Sequence, residues 1–438
     1  MPERREVYKF GGASVRDAER IRNVATIIGQ HKGGALTIVV SALGKTTNAL
    51  EQVLAAFAKT QPDVAVERLS EVKAMHYQIA HQLFGAEHAV YAQLNDAFVE
   101  VEWLLEEPFD TTFEYAYDQI VSIGELASSL LLSHYLQSVS ELPVTWMDAR
   151  GLIRTDDLYR EARVDWTVTQ QLVDRHVKPA LTAGQHVVTQ GFIGSTVDNE
   201  STTLGREGSD YSAAILSFCL DATSMTIWKD VPGVLTADPR MFDQVTKLDR
   251  LSYREAIEMT YYGAKVIHPK TIKPLQNKSI PLFVKSFLAP EQPGTKIDAH
   301  APAAYPPIIT VERNQALVEI QTRDFSFIAE HHLRDLFNLI AEHRLRVNLM
   351  QNSAISFSMS VNDQDERVTS FAKALGGSYA CEIRRGLELY TLRHADELTL
   401  QQHRQGKVVF MDERVGSTVQ LLVQEAVVPV RKKAQRSQ

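Results

Sequence analysis

Residues 7–14 read Val7-Tyr8-Lys9-Phe10-Gly11-Gly12-Ala13-Ser14, a short apolar strand with a lysine near its end, then two glycines and the start of a helix. A strand that turns on glycine into a helix opens a βαβ unit, and the chain continues in kind as far as about residue 300. Short apolar runs at 36–41, 144–148, 186–192 and 225–229, bounded by Gly, Pro or charged residues, read as buried strands. Between them, Ile21, Val24, Ala25 and Ile28 recur at helical spacing in 17–31, and 63–137 is nearly free of Gly and Pro and reads as helix. The alternation predicts an α/β fold, a three-layer αβα domain with a mainly parallel central sheet.

The opening stretch also has a chemistry. Glycines let backbone N–H groups approach an anion, the following helix N-terminus adds partial positive charge, and Lys9 can neutralise developing oxyanion charge. Plain turn chemistry uses the same glycines, so the stretch alone does not separate the two readings. Two common nucleotide signatures fail. Gly44-Lys45-Thr46 ends like a P-loop, but Val39 stands where that motif needs its first glycine. No G-x-G-x-x-G follows the first strand, which removes support for a dinucleotide site and for hydride chemistry.

Three further constellations stand out. Residues 202–212 pack Gly205, Arg206, Gly208, Ser209 and Asp210 before an apolar helix; Arg206 offers a planar fork for a carboxylate, and Ser209 with Asp210 reads as the helix cap. Lys229 and Asp230 end a strand, and a double turn leads on to Arg240. Lys265 and Val266 follow Gly263-Ala264 and precede His268-Pro269.

Charge and composition narrow the classes. Over 438 residues, 46 Lys and Arg stand against 54 Asp and Glu, a net charge of −8 that argues against nucleic-acid binding while leaving room for a small basic nucleotide site. Two cysteines, Cys219 and Cys381, build neither a disulfide framework nor a C-x-x-C metal site and suit a reducing cytosol. The N-terminus has no signal-peptide pattern, and no apolar run reaches the ~18 residues of a membrane span, so a cytoplasmic protein without membrane partners is expected. His331 with His332, and His76 with His81, lack the i, i+4 spacing of a helical zinc site and read as surface histidines. No metal site made of protein side chains and no organic cofactor is expected.

Pro290, Pro293, Gly294, Pro302, Pro306 and Pro307 mark a domain boundary across 287–307. Beyond it, strands at 316–321, 346–350 and 354–361 and helices at 328–343 and 364–375 give the order of a ferredoxin-like βαββαβ module. Strands at 386–392, 407–411 and 419–423 suggest a second, reduced copy. The domains are therefore placed at 1–295, 308–385 and 386–430, with a solvated basic tail at 431–438.

Taken together and in order, these segments resemble the aspartate kinase family within the amino-acid kinase fold. That family shows K-F-G-G-T-S, S-A-x-x-x-x-T-N after the second strand, a central G-E, then T-T-L-G-R-G-G-S-D-Y, D-V-x-G-[IV] with T-x-D-P-R, and G-A-K-V-[IL]-H-P; this chain has nearly all of them between Val7 and Pro274. The resemblance implies transfer of the ATP γ-phosphoryl group to the β-carboxylate of L-aspartate, giving 4-phospho-L-aspartate, the first step toward lysine, threonine and methionine. It implies MgATP as the nucleotide, ACT-type regulatory modules at the C-terminus, and a homodimer through them. Residue by residue, it implies that Lys9 and Asp210 are catalytic and that Ser41, Thr47, Glu125, Arg206 and Ser209 hold aspartate. Lys9, Gly11, Gly12, Lys229, Asp230, Arg240, Lys265 and Val266 would contact ATP.

Some positions depart from the family pattern. Ala13 stands for the common Thr, Glu207 for a Gly, and Leu235 for a frequent Tyr beside the nucleotide. In the regulatory part, His331-His332-Leu333 replaces a Gly-Phe-Leu and Ser353-Ala354 a Ser-Glu of lysine-sensing relatives. Conventional lysine inhibition is accordingly not expected. Two rivals remain at this point: a kinase of the same fold acting on glutamate, and a catalytically silent amino-acid sensor, against which the presence of Lys9, Asp210 and Lys265 argues.

Overall fold

The computed structural model describes residues 5–141, 143–264, 267–324 and 326–426; Lys265, Val266 and the basic tail at 431–438 lie outside the described residues. The chain forms two compact units, one of residues 1–234, 247–260 and 265–302, the other of residues 235–246, 261–264 and 303–438.

The first unit is built on an eight-stranded sheet, whose spatial order is Val144–Met147, His186–Gln190, Leu36–Val40, Glu6–Phe10, Ser224–Lys229, Leu282–Ser286, Thr295–Asp298 and Arg250–Ser252. One neighbouring pair, Leu282–Ser286 with Thr295–Asp298, is antiparallel and the others are parallel. Strand alternation sorts the residues by face. Phe10, Leu36, Ile38, Val40 and Val188 join one core with the helices Ala18–Gly29 and Ile123–Val139. Lys9, one residue earlier than Phe10, takes the opposite face, against the helix Gly208–Cys219.

The stretch 63–137 is four helices rather than one run: Pro62–Phe84, Val90–Glu106, Phe113–Val121 and Ile123–Val139. Gly85 at φ 77 stops the first. Pro108 forces Glu107 into an extended conformation and ends the second, and the Thr112 hydroxyl caps the third by accepting the Tyr115 N–H. His76, expected at the surface, is fully buried, because it falls on the inward stripe of its helix with Leu69, Val72, Ile79 and Ala80. Its Nδ1 lies 2.8 Å from the Val72 carbonyl, and burial pushes its pKa down to about 4.

The second unit carries a six-stranded antiparallel sheet, ordered Val347–Asn352, Ser356–Asn362, Ile308–Thr322, Tyr379–Arg393, Thr418–Glu425 and Lys407–Val415. The first four strands with the helices Glu330–Glu342 and Asp365–Ala374 form the ferredoxin-like module. The strand expected at 386–392 is the second half of the 15-residue strand Tyr379–Arg393. Register shifts between Glu312 and Gln315 and between Gln315 and Leu317, the second opposite Gly386 at φ 71, divide that long pair, so the last strands share their central partners with the first module. No helix among the described residues is long and apolar enough to cross a membrane.

Candidate active site

Register alignment brings the chemistry together. Phe10 pairs with Val40 and with Trp228, and Val40 pairs with Gln190, so Gly11, Ser41, Gly191 and Lys229 leave their strands along one edge of the sheet. From Glu6–Phe10 the chain moves outward to Leu36–Val40 on one side, while Ser224–Lys229 lies on the other, which makes this edge a topological switch point.

Two loops interlock there. The Gly44 N–H donates to the Gly12 carbonyl at 3.1 Å. A Cβ on Gly12 would come within 2.8 Å of the Ala42 carbonyl and 2.9 Å of that of Gly44, so only glycine allows this approach. Gly11 is equally close to the chemistry, since a Cβ there would lie 3.5 Å from Lys9 Nζ. The Ser14 hydroxyl donates to the Gly11 carbonyl at 2.6 Å and holds the turn. Ser41 is fixed by its own N–H to the Phe10 carbonyl and by the Ser128 hydroxyl on its carbonyl. Thr47 sits half-buried in the first turn of the helix Thr46–Phe57.

The charged centre is Lys9, Asp210 and Lys229. Lys9 Nζ lies 2.5 Å from Asp210 Oδ1, and Lys229 Nζ lies 3.8 Å from Oδ2. Burial alone would raise the Asp210 pKa; the two lysines outweigh it and hold the carboxyl below its ordinary value. Glu125 is also buried, and here burial wins. The Ala42 N–H donates to Oε1 at 3.2 Å and Lys9 adds attraction, yet its pKa rises from 4.5 to about 8, while Oε2 is buried with no hydrogen-bond partner.

The loop 204–210 brings Arg206, Ser209 and Asp210 from the other face. Ser209 and Asp210 do not cap the helix, as the sequence reading had them, but lie in its first turn; Glu207 occupies the N-cap in a left-handed conformation, φ 55, and its side chain makes no cap hydrogen bond. Asp118 anchors the loop from behind. Its Oδ2 accepts the Arg160 and Thr203 N–H groups at 3.0 and 2.8 Å, and its Oδ1 accepts the Thr203 hydroxyl at 2.7 Å. Arg206 is exposed.

Of the remaining candidates, Asp230 is exposed at the end of its strand. Arg240 belongs to the second unit, where its guanidinium forms two bonds to Asp238 at 3.0 and 2.7 Å. Two contributors were absent from the sequence reading. Gly191 lets the helix start come close, because a Cβ there would stand 2.6 Å from that of Ser209. Phe192, at φ 71, packs its ring on Gly208 and donates its N–H to the Ser212 hydroxyl oxygen. The signal in the sequence was a Gln190-Gly191-Phe192 strand end, which is unremarkable until the helix packs on it.

The amino acid kinase family model matches residues 4–286. Lysine-sensitive aspartokinase 3 of Escherichia coli is 31% identical over 397 residues, spanning 88% of this chain and 86% of its own. E. coli aspartokinase III with aspartate and ADP superposes at a TM-score of 0.79 over 95% of both chains, with 28% identity. The same enzyme with lysine and aspartate superposes at 0.80 over 96% of both. With the parallel sheet, the interlocked glycine loops and the C-terminal ACT sheet all present, the chain belongs to the amino acid kinase family and, within it, to the aspartokinases.

Proposed function

We propose that the site at the strand ends transfers the γ-phosphoryl group of MgATP to the β-carboxylate of L-aspartate, giving 4-phospho-L-aspartate for amino-acid biosynthesis. The observation that carries this reading is the buried Lys9–Asp210 pair, joined by the half-buried Lys229, beside a buried carboxyl, Glu125, with an unpartnered oxygen.

The acceptor carboxylate has an ordinary pKa of about 3.9 and is already anionic near pH 7, so no general base is needed. The difficulty is to bring two anions together in line. Lys9, with the Gly11 and Gly12 amides, would face the transferring phosphoryl group and take up its charge in a site with little water. Asp210 holds Lys9 extended toward the phosphates and keeps it from pairing elsewhere. Glu125 would receive the α-ammonium of aspartate and Arg206 its α-carboxylate, with Ser41, Thr47 and Ser209 completing the pocket. Lys229, Asp230, Arg240, Lys265 and Val266 carry ATP roles on the strength of their motifs.

Among the described residues no group of three or more His, Cys, Asp or Glu stands together to hold a metal ion. Asp210, the buried carboxylate paired with Lys9, is engaged by two lysines, so Mg²⁺ would arrive bound to the ATP phosphates, where it would supply charge neutralisation. The C-terminal sheet would serve regulation and assembly as a homodimer.

The direct test is MgATP-dependent hydroxamate formation with L-aspartate, with L-glutamate in parallel and Lys9→Ala as control. Aspartyl hydroxamate that vanishes in the variant is the expected result. Product from glutamate alone would move the enzyme to the rival acceptor, and none from either would leave a sensor.

A further inference from the structure

Away from the strand-end edge, the first unit holds a cavity of about 530 Å³ between three elements: the loop 161–164, the outer side of the helix Gly208–Cys219, and the helix Pro269–Asn277. Its size is that of a site for a small organic ligand. The sequence places its lining by period. Tyr211 and Phe218 lie on one stripe of their helix, and Lys270, Lys273, Pro274 and Asn277 on one face of theirs.

The walls are aromatic. Trp166, Tyr211 and Phe218 are half-buried, and the Trp166 and Phe218 rings meet edge to face at 5.1 Å. The rim is cationic. Arg163, Lys270 and Lys273 are exposed, and Glu161 is the one carboxylate on the lining, leaving a local charge of 3 − 1 = +2 on a chain whose net charge is −8. Lys278 does not share in this surplus: it lies over the Phe218 ring at 4.1 Å and pairs with Asp221. A ring-lined hollow with a cationic mouth, on an otherwise acidic protein, matches a ligand with an apolar planar body and a negative end. The Arg163 fork and two lysines suit a carboxylate, and the rings suit an aromatic face.

We propose that this cavity is a second ligand site, which binds a small aromatic carboxylate. It lies close to the machinery of the first site without sharing its groups. Tyr211 follows Asp210 in the chain, and a Cβ on Gly205 would meet Glu161 at 3.3 Å, so the cavity wall supports the loop that carries Arg206.

The probe is 1-naphthaleneacetate, titrated into the full chain by isothermal calorimetry, with the uncharged 1-naphthaleneacetamide for comparison. Saturable one-to-one binding of the acid is expected, with the amide at least tenfold weaker. The double variant Lys270→Ala/Lys273→Ala weakens the acid at least tenfold, and Asn277→Trp, which fills the mouth from an exposed position, abolishes binding. Both variants keep wild-type circular dichroism and hydroxamate formation, which separates loss of the cavity from loss of the fold. The proposal is overturned by an absence of saturable heat up to millimolar acid, by equal binding of acid and amide, or by binding that both variants retain. Displacement of the probe by aspartate would also overturn it, by assigning the anion to the first site.

Discussion

Lys9 Nζ and Asp210 Oδ1 stand 2.5 Å apart although the residues come from opposite sides of a chain crossing, one from the first strand and the other from the first turn of the helix Gly208–Cys219. Both side chains are almost wholly buried. A pair so desolvated couples catalysis to folding, because removing one partner strands the other. Lys9→Ala should lower kcat by about 10²–10³-fold, as loss of an oriented charge stabiliser does. It should also destabilise the chain by about 3 kcal/mol. Lys9→Arg should not rescue turnover, since the wider fork cannot take the place of a point charge. A Lys9→Ala enzyme within tenfold of wild-type kcat would remove Lys9 from the chemistry.

With Glu125 as the proposed partner of the aspartate α-ammonium, aspartate binding should depend on pH. With its pKa at about 8 the substrate-free carboxyl is mostly protonated at pH 7, whereas an α-ammonium partner requires the anion. The kcat/KM for aspartate should therefore climb with pH, by up to about tenfold per unit, and level off near pH 8. Glu125→Gln should raise KM and flatten the profile. The sign for stability is opposite. Since the folded carboxyl keeps its proton up to about pH 8 while the unfolded one releases it near 4.5, substrate-free stability falls as pH rises through that window. Saturating aspartate should cancel that loss, and a profile flat between pH 6 and 8 would contradict the assignment.

Asp118 acts behind the site. Its carboxylate gathers two N–H groups and a hydroxyl from the loop and hairpin that precede Arg206, and burial raises its pKa to about 6. Asp118→Ala leaves those donors buried without an acceptor, for a loss of about 2–3 kcal/mol in urea unfolding. KM for aspartate should rise severalfold while kcat changes little. Unchanged KM with reduced stability would show that the clamp does not reach the pocket.

Glu207 holds a left-handed conformation, φ 55, at the position where the family motif it resembles has glycine. Glu207→Gly should relieve about 1 kcal/mol of backbone strain. Thermal unfolding should then shift upward by roughly 2 °C. A lowered midpoint would mean that the Glu207 side chain stabilises the loop through contacts of its own.

Effector response follows from the regulatory sheet. His332 stands at the start of the helix Glu330–Glu342, and its Nδ1 accepts the Ala329 N–H at 3.2 Å, so that imidazole is used as a cap. Millimolar lysine or threonine is expected to leave hydroxamate formation unchanged. Clear inhibition by either would show that the replaced residues are not the ones an effector needs.

The alternation of short apolar runs with helical patterns carried the α/β class, and the order of motifs carried the aspartokinase resemblance and most of the candidate residues, because each short motif reports a local requirement: glycine where backbones touch, lysine where phosphate charge must be met. Strand alternation is equally local, and it puts the neighbours Lys9 and Phe10 on opposite faces of the sheet in the folded chain. Other features depended on which surfaces come together. The helical stretch 63–137 broke at Gly85 and Pro108, and His76 turned inward because its helix stripe met Phe98 and its neighbours. The strand at 386–392 proved to be half of a longer one, since pairing with Ile308–Thr322 extends it beyond its own apolar pattern. Only packing showed that Gly191 makes room for Ser209, that Glu125 loses enough water to hold a proton near neutrality, and that Asp118 braces the Arg206 loop. Those are properties of desolvation and close approach, which belong to the assembled core and not to any stretch of sequence read by itself.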